Sequence, residues 1–144
     1  MASLDQQLYI NAYLVYGIGR SFSVSLNQAT AETQNDSKPI FEPMDLSQYS
    51  VRFRVLGSAS GDGVILLEKI INQVTDPSTI GQIESPESGL FTFVITADDT
   101  KMLGLGAHPI TIELLDIDTG ENAFTLTSGG IFQGEFNKII ITNV

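Results

Sequence analysis

The chain of 144 residues contains no cysteine and no tryptophan, and only 7 of its residues are lysine or arginine. The absence of cysteine excludes disulfide bonds and thiolate metal sites, and it gives no support to an oxidising compartment. Against the 7 basic residues stand 17 acidic ones, which gives a net charge of −10. Because phosphate binding requires clustered lysine and arginine, we expect neither nucleic acid nor an anionic membrane as a partner.

Apolar runs that are long enough to span a membrane are missing as well. No window approaches the roughly 18 apolar residues of a membrane span. The N-terminal sequence MASLDQQLYI lacks the basic region and apolar core of a signal peptide. We therefore expect a soluble chain that is made without export. Apolar residues still make up 42% of the sequence, which is enough to form a hydrophobic core in a single domain over residues 1–144.

Alternation of apolar and polar residues is the main pattern that the sequence does contain. Phe91, Phe93 and Ile95 lie at every second position of one segment, and residues 110–115 repeat this spacing. Successive side chains of a β-strand point to opposite faces of a sheet, so a period of two predicts half-buried strands. About eight such segments, separated by glycine turns, predict an all-β domain that is a sandwich or a barrel.

One short helical turn is predicted between two of these strands. Thr96 is a suitable N-cap, and the acidic pair Asp98 and Asp99 suits the positive end of a helix dipole. Gly104 is placed to end the helix.

Two other segments are less regular. Residues 27–43 are polar and end in two prolines, which predicts a long loop. Residues 64–74 (VILLEKIINQV) form an almost continuous apolar run with glycines before it. Their β-branched residues favour a strand that is buried on both faces.

The N-terminal strand, residues 8–16, is apolar on both faces and contains Tyr9, Tyr13 and Val15. Two interpretations remain open. The strand is either a central one covered on both sides, or part of an extended arm (residues 1–16) that pairs with a neighbouring subunit. The second interpretation makes these three side chains interface residues, since tyrosine is enriched at interfaces and edge strands offer unpaired backbone groups.

Arg52 and Arg54 form the second candidate surface. They alternate with Val51, Phe53 and Val55, so they belong to the solvated face of one strand. This face is either simply hydrated or a docking patch for an acidic partner.

No catalytic, cofactor-binding or metal-binding site is predicted. Asp116, Asp118 and Glu121 superficially resemble a calcium loop, but Gly120 stands at the fifth position, where such a loop needs an acid or amide. A hairpin turn explains this segment better. His108 is the single histidine, so it supplies neither a metal cluster nor an activated nucleophile.

Two pairs of carboxylates were also considered as a glycosidase dyad. Asp98 with Asp99, and Glu84 with Glu87, each lie within one loop or helix cap. A dyad requires carboxylates on opposite sides of a cleft, so capping and solvation explain these pairs better. We therefore expect a protein that is not an enzyme.

The order of the segments resembles a family of small phage structural domains. The segments that carry the resemblance are MDLSQYSVRFRVLG, VILLEKI, SGLFTFVITADDTKMLGLG and PITIELLDIDTGENAFTLTSG, within residues 20–134. They are similar to the immunoglobulin-like domain of phage baseplate upper proteins and of related tail, fibre and capsid-surface proteins. The resemblance implies an immunoglobulin-like β-sandwich of about 7–9 antiparallel strands. It supplies no catalytic residues to transfer.

This family implies a structural protein of a bacteriophage virion, made in the host cytoplasm. Its expected partners are the major capsid protein or the tail and baseplate proteins, together with further copies of itself in a homo-oligomer or symmetric array. Capsid decoration and a tail or baseplate role both remain open. A glycan-binding module is the alternative of another class, with Phe132 and Phe136 as its weak candidates for an aromatic platform.

Overall fold

The structure, a computed structural model, describes residues 11–33, 39–57, 64–126 and 137–143. These residues form an all-β protein with one α-helix, as predicted. The strands are β1 (Asn11–Val15), β2 (Arg20–Ser25), β3 (Asn27–Thr33), β4 (Pro39–Pro43), β5 (Tyr49–Leu56), β6 (Ile65–Ile71), β7 (Gly81–Ser85), β8 (Leu90–Ile95), β9 (Gly106–Asp116), β10 (Asn122–Leu126) and β11 (Lys138–Thr142). The helix α1 spans Ala97–Leu103, and a single 3-10 turn spans Pro86–Ser88.

The larger sheet has the strand order β1-β11-β9-β5-β6, and β10 also pairs with β9. Its pairings are antiparallel except that of β1 with β11, which is parallel and places Tyr13 beside Ile140. The prediction of a purely antiparallel protein is therefore wrong for this pair. The two strands come from opposite ends of the chain, so no hairpin constrains their direction.

A second sheet has the order β2-β8-β7, and β3 pairs with β4 in a separate antiparallel hairpin. Residues 27–43, for which the sequence predicts a long loop, therefore contain two strands. Polar composition and prolines misled the prediction, because prolines are accepted at the ends of a strand and both Pro39 and Pro43 are terminal residues of β4.

The two sheets face each other across one hydrophobic core. Phe93 of β8 contacts the larger sheet, because its ring centroid lies 4.5 Å from that of Phe53 in β5. Within its own sheet, the same ring lies 5.0 Å from that of Phe22 in β2. Phe53 and Phe93 are completely buried. The alternate residues of β5, β8 and β9 that predict half-buried strands are the ones that point into this core.

Helix α1 is confirmed where the sequence places it. The Thr96 hydroxyl accepts a hydrogen bond from the Asp99 amide, and the Asp99 carboxylate accepts one from the Thr96 amide, which completes a capping box. Gly104 ends the helix with φ of 83°, a positive value that favours glycine.

The apolar run of β6 predicts a strand that is buried on both faces, and this prediction is wrong. The strand ends the strand order of the larger sheet among the described residues, and Val64, Ile65, Leu66 and Ile70 are exposed. A short apolar run has no periodicity that would distinguish a central strand from an exposed edge.

Candidate interaction surfaces

The first predicted surface lies on β1 at one edge of the larger sheet. Ala12 and Leu14 point into the core, whereas Tyr13 and Val15 lie on the opposite, outer face of the sheet. Tyr13 is 60% exposed. Tyr9 falls outside the described residues. The strand is therefore an edge strand with one buried face, rather than a central strand covered on both sides.

The outward-facing backbone of β1 is already engaged. The carbonyl of Tyr13 accepts a hydrogen bond of 3.2 Å from the Arg20 guanidinium, and the carbonyl of Val15 accepts one of 3.0 Å from the Ile18 amide. These contacts reduce the capacity of this edge to accept another strand. A partner would therefore contact mainly the side chains of β1 and of the exposed residues Tyr16 and Ile18 that follow it.

The second predicted surface, Arg52 and Arg54, lies on the same outer face but is occupied by partners from within the chain. The Arg52 Nε donates to Glu113 at 3.0 Å, and the Arg54 Nε donates to Glu68 at 2.6 Å. Arg54 also approaches Glu113 at 3.7 Å. The hydrogen bond to Glu113 raises the pKa of Arg52. Two arginines and two glutamates leave this patch locally neutral, so an acidic partner would have to compete with the chain's own carboxylates.

The two predicted surfaces do not merge into one. In the sheet register Tyr13 lies level with Ile140 and Ala107, whereas Arg54 lies beside Thr111, four residues further along β9. Three strand spacings and this offset separate Tyr13 from Arg54 by about 20 Å. A single partner would need a broad contact area to cover both.

A third surface, which sequence reasoning missed, is the edge of β6 that pairs with no second strand of the described part of the chain. We call it the β6 edge and define it by the exposed residues Val64, Ile65, Leu66 and Ile70. The side chain of Glu68 lies between Leu66 and Ile70 and pairs with Arg54. The residues that follow β6 line a shallow groove of about 380 Å³, to which Val74 and Ile117 contribute apolar side chains.

Lys69 is the one residue of β6 whose charge is buried, with 8% of its surface exposed. Its ammonium donates to the Asp99 carboxylate at 2.6 Å, to the Thr79 carbonyl at 2.6 Å and to the Val94 carbonyl at 2.5 Å. Burial opposes the ionisation of Asp99, but Lys69 and the Thr96 amide outweigh it, and the pKa of Asp99 is lowered. This ion pair joins β6 to the start of α1, which gives it a structural role.

Two of the groups that sequence reasoning weighed for catalysis or metal binding, His108 and Asp116, are engaged in local structure. The Nε2 atom of His108 lies 2.9 Å from the Gly104 carbonyl. One carboxylate oxygen of Asp116 accepts from the amides of Asp118 and Thr119, which shapes the predicted hairpin turn. Within the described ranges, no three histidine or acidic side chains are grouped so that they would hold a metal ion. Phe132 and Phe136, the candidates for a glycan platform, lie outside those ranges.

No protein-family model matches this chain, and no curated protein is significantly similar to it. Among the described residues, no helix has the length and apolar character needed to cross a membrane.

Proposed function

We propose that this chain is a non-enzymatic structural protein of a bacteriophage virion, which docks on the capsid surface as a decoration or cement protein. In this proposal its two sheets form an immunoglobulin-like β-sandwich. The observation that carries the proposal is the exposure of Tyr13, Tyr16 and Ile18 together at one edge of a two-sheet body. Clustered aromatic and apolar side chains on an otherwise acidic surface are typical of a protein interface.

The resemblance to phage structural domains supports the same conclusion. The segments that carry it contain β5, β8, α1 and β9, which supply much of the core. A framework of this kind leaves its edges and outer face for assembly. Among the candidate catalytic groups, Asp116 serves a turn, Asp99 serves a cap and an internal ion pair, and His108 contacts the Gly104 carbonyl, which fits a protein that binds rather than reacts.

The expected partners are the major capsid protein and further copies of this chain in a symmetric array. Apolar burial contributes roughly 25 cal/mol per Å², from which the cost of association is subtracted. A single docking contact made by a few exposed side chains is therefore expected to be weak. Repetition around a particle converts many weak contacts into stable attachment, because each further contact forms at high effective concentration.

The experiment that tests the proposal is incorporation of variants into particles. The arm should be tested by deletion of residues 1–10 rather than 1–16, because Ala12 and Leu14 belong to the core and their removal would unfold β1. Tyr13→Ser tests the described part of the surface, and Met102→Ser, which changes another exposed apolar residue on α1, is its matched control. Normal incorporation of both the deletion and the Tyr13 variant would overturn the proposed surface.

A role in the tail or baseplate is the alternative within the same class. It predicts the same kind of contact but a low copy number per particle. Counting copies therefore decides between the two locations without any change to the surface argument.

A further inference from the structure

We infer that the β6 edge is a self-association surface, on which a second copy of this chain pairs antiparallel with β6 about a two-fold axis. This inference deepens the proposed function, because it assigns a surface to the expected contact between copies. It does not depend on the particle, and it is tested on the purified protein alone.

The two edge strands of the larger sheet, β1 and β6, differ in how far their outward-facing backbone groups are already bonded. At the β1 edge, the carbonyls of Tyr13 and Val15 already accept hydrogen bonds from Arg20 and Ile18. At β6, the Asn72 carbonyl turns away from β5 and accepts from the Ile83 amide. Backbone groups alternate in direction along a strand, so those of Ile70 and Glu68 point the same way, to the side where the strand order ends.

Among the described residues, this edge has little of the usual protection, because β7 meets it only at its end, through the bond from the Ile83 amide to the Asn72 carbonyl. Natural edges are protected by proline, by unpaired charge or by a covering element. Residues 64–71 contain no proline, the charge of Glu68 is matched by Arg54, and that of Lys69 by Asp99. A bulge interrupts the β5–β6 register only between Val55 and Leu56, so the stretch from residue 67 to residue 71 is regular.

The side-chain pattern of β6 is complementary to itself, which makes a second copy of this chain the occupant. Glu68 is the central residue of β6 (Ile65–Ile71), and Leu66 and Ile70, each 38% exposed, flank it symmetrically. Antiparallel pairing centred on Glu68 therefore places Leu66 of each copy opposite Ile70 of the other copy, which gives two equivalent apolar pairs. Such cross-strand apolar pairs stabilise sheets, and the same pattern on both strands is what a two-fold interface requires.

Charge does not prevent this approach. Pairing centred on Glu68 brings two carboxylates together, but each has its own Arg54 at 2.6 Å, so the four groups are neutral in sum. The chain as a whole carries a charge of −10, which repels a second copy at long range. We therefore expect a weak dimer that becomes tighter as salt rises, because salt screens the net repulsion.

The test begins with sedimentation of the full chain across a concentration series. The expected result is a reversible monomer–dimer equilibrium. Ile70→Lys is expected to weaken association at least tenfold, since it places an uncompensated charge in the paired edge. Leu105→Lys, which makes the same kind of change at another exposed apolar residue, should leave association unchanged. A protein that stays monomeric to about 1 mM, or equal association of the Ile70→Lys variant and wild type, overturns the inference.

A second measurement tests the register and does not depend on variant affinity. Because the chain contains no cysteine, a single introduced thiol is the only one present. Hydrogen-bonded antiparallel partners have Cα atoms about 5.5 Å apart, which suits a disulfide. Glu68→Cys should form an intermolecular disulfide under mild oxidation, whereas Leu66→Cys should not, because Leu66 faces Ile70. Equal cross-linking of both variants, or of neither, contradicts the proposed pairing.

The two proposals fail separately. Absence of dimers with normal particle incorporation overturns only the β6 pairing. Dimers in a protein that never enters particles overturn only the virion role.

Discussion

The ammonium of Lys69 lies 2.6 Å from a carboxylate oxygen of Asp99, and this ion pair joins β6 to the capping box of α1. Asp99 therefore has two structural tasks, because the same carboxylate also accepts from the Thr96 amide. The sequence predicts that Thr96 caps α1 and that Asp99 lies in its first turn, but not the bond by which Asp99 accepts from the Thr96 amide. It does not predict the ion pair, because Lys69 lies 30 residues away in what looks like a uniformly apolar strand.

Removal of this carboxylate should destabilise the fold markedly. Asp99→Asn leaves the buried Lys69 charge without its counter-ion, and we expect a loss of about 3 kcal/mol in the free energy of unfolding. Asp98→Asn is the matched control, because Asp98 is an exposed residue of the same first helical turn. It should cost less than about 0.5 kcal/mol.

Urea denaturation of both variants provides the measurement. The double variant Lys69→Met/Asp99→Asn should lose less stability than the two single changes added together, since it leaves no buried charge unpaired. Strict additivity would show that the two residues do not interact.

The same ion pair should make the free energy of unfolding depend on pH. The pKa of Asp99 is lowered in the folded state from an ordinary value near 3.8, so the unfolded state binds a proton first as the pH falls. Its stabilising contribution is therefore complete above about pH 4 and is lost as the pH falls through the lowered folded value. Urea midpoints of wild type and Asp99→Asn should differ most at neutral pH and converge at low pH. A difference that stays constant down to pH 2 would contradict this.

Truncation of the core phenylalanines to alanine should lower the free energy of unfolding by different amounts. Phe93 stacks on both Phe22 and Phe53 and is fully buried, whereas Phe22 is only partly buried. Phe93→Ala should cost roughly 3–5 kcal/mol, and Phe22→Ala distinctly less, because truncation leaves a larger cavity where packing is complete. Thermal unfolding ranks the two variants, and equal losses would mean that Phe93 is not the link between the sheets.

Two glycines with similar φ angles should respond very differently to alanine. Gly89 has φ of 70° and Gly120 has φ of 74°, so both substitutions incur the strain of a positive φ. A Cβ at Gly89 would lie 2.3 Å from the Leu26 carbonyl oxygen, whereas a Cβ at Gly120 would meet no atom of the described residues within 4 Å. Gly120→Ala should cost roughly 1–2 kcal/mol, and Gly89→Ala clearly more because of this close contact. Equal unfolding free energies of the two variants would remove the argument from close approach.

The charged patch and the tyrosine patch should differ in their effect on assembly. Arg52 and Arg54 already pair with Glu113 and Glu68, so changing both arginines to glutamine should leave particle incorporation close to wild type. Tyr13→Ser should lower incorporation about tenfold, as expected for an aromatic interface residue. Quantitative blotting of purified particles makes the comparison. The reverse order would assign docking to the arginines.

Local patterns predicted much of the framework. The alternation in β5, β8 and β9, the Thr96 N-cap of α1 and the turn after Asp116 are all encoded within a few residues and are confirmed. Long-range pairings were not predictable in this way. The parallel contact of β1 with β11 joins the two ends of the described chain, and Arg52 meets Glu113 across 61 residues of sequence.

The same limit applies to the candidate surfaces. Strand β6 looked buried because its composition is apolar, yet burial depends on which strands lie beside it, and composition does not carry that information. Tyr13 could be identified as an interface candidate from its residue type. Whether its strand lay at an edge was decided only by the pairing with β11.

The most direct test of the central claim is quantitative mass spectrometry of purified phage particles from cells that produce this chain. The proposed capsid decoration predicts a fixed, high copy number in proportion to the major capsid protein. A fixed low copy number would move the protein to the tail or baseplate. Absence of the chain from the particles would contradict a structural role in the virion altogether.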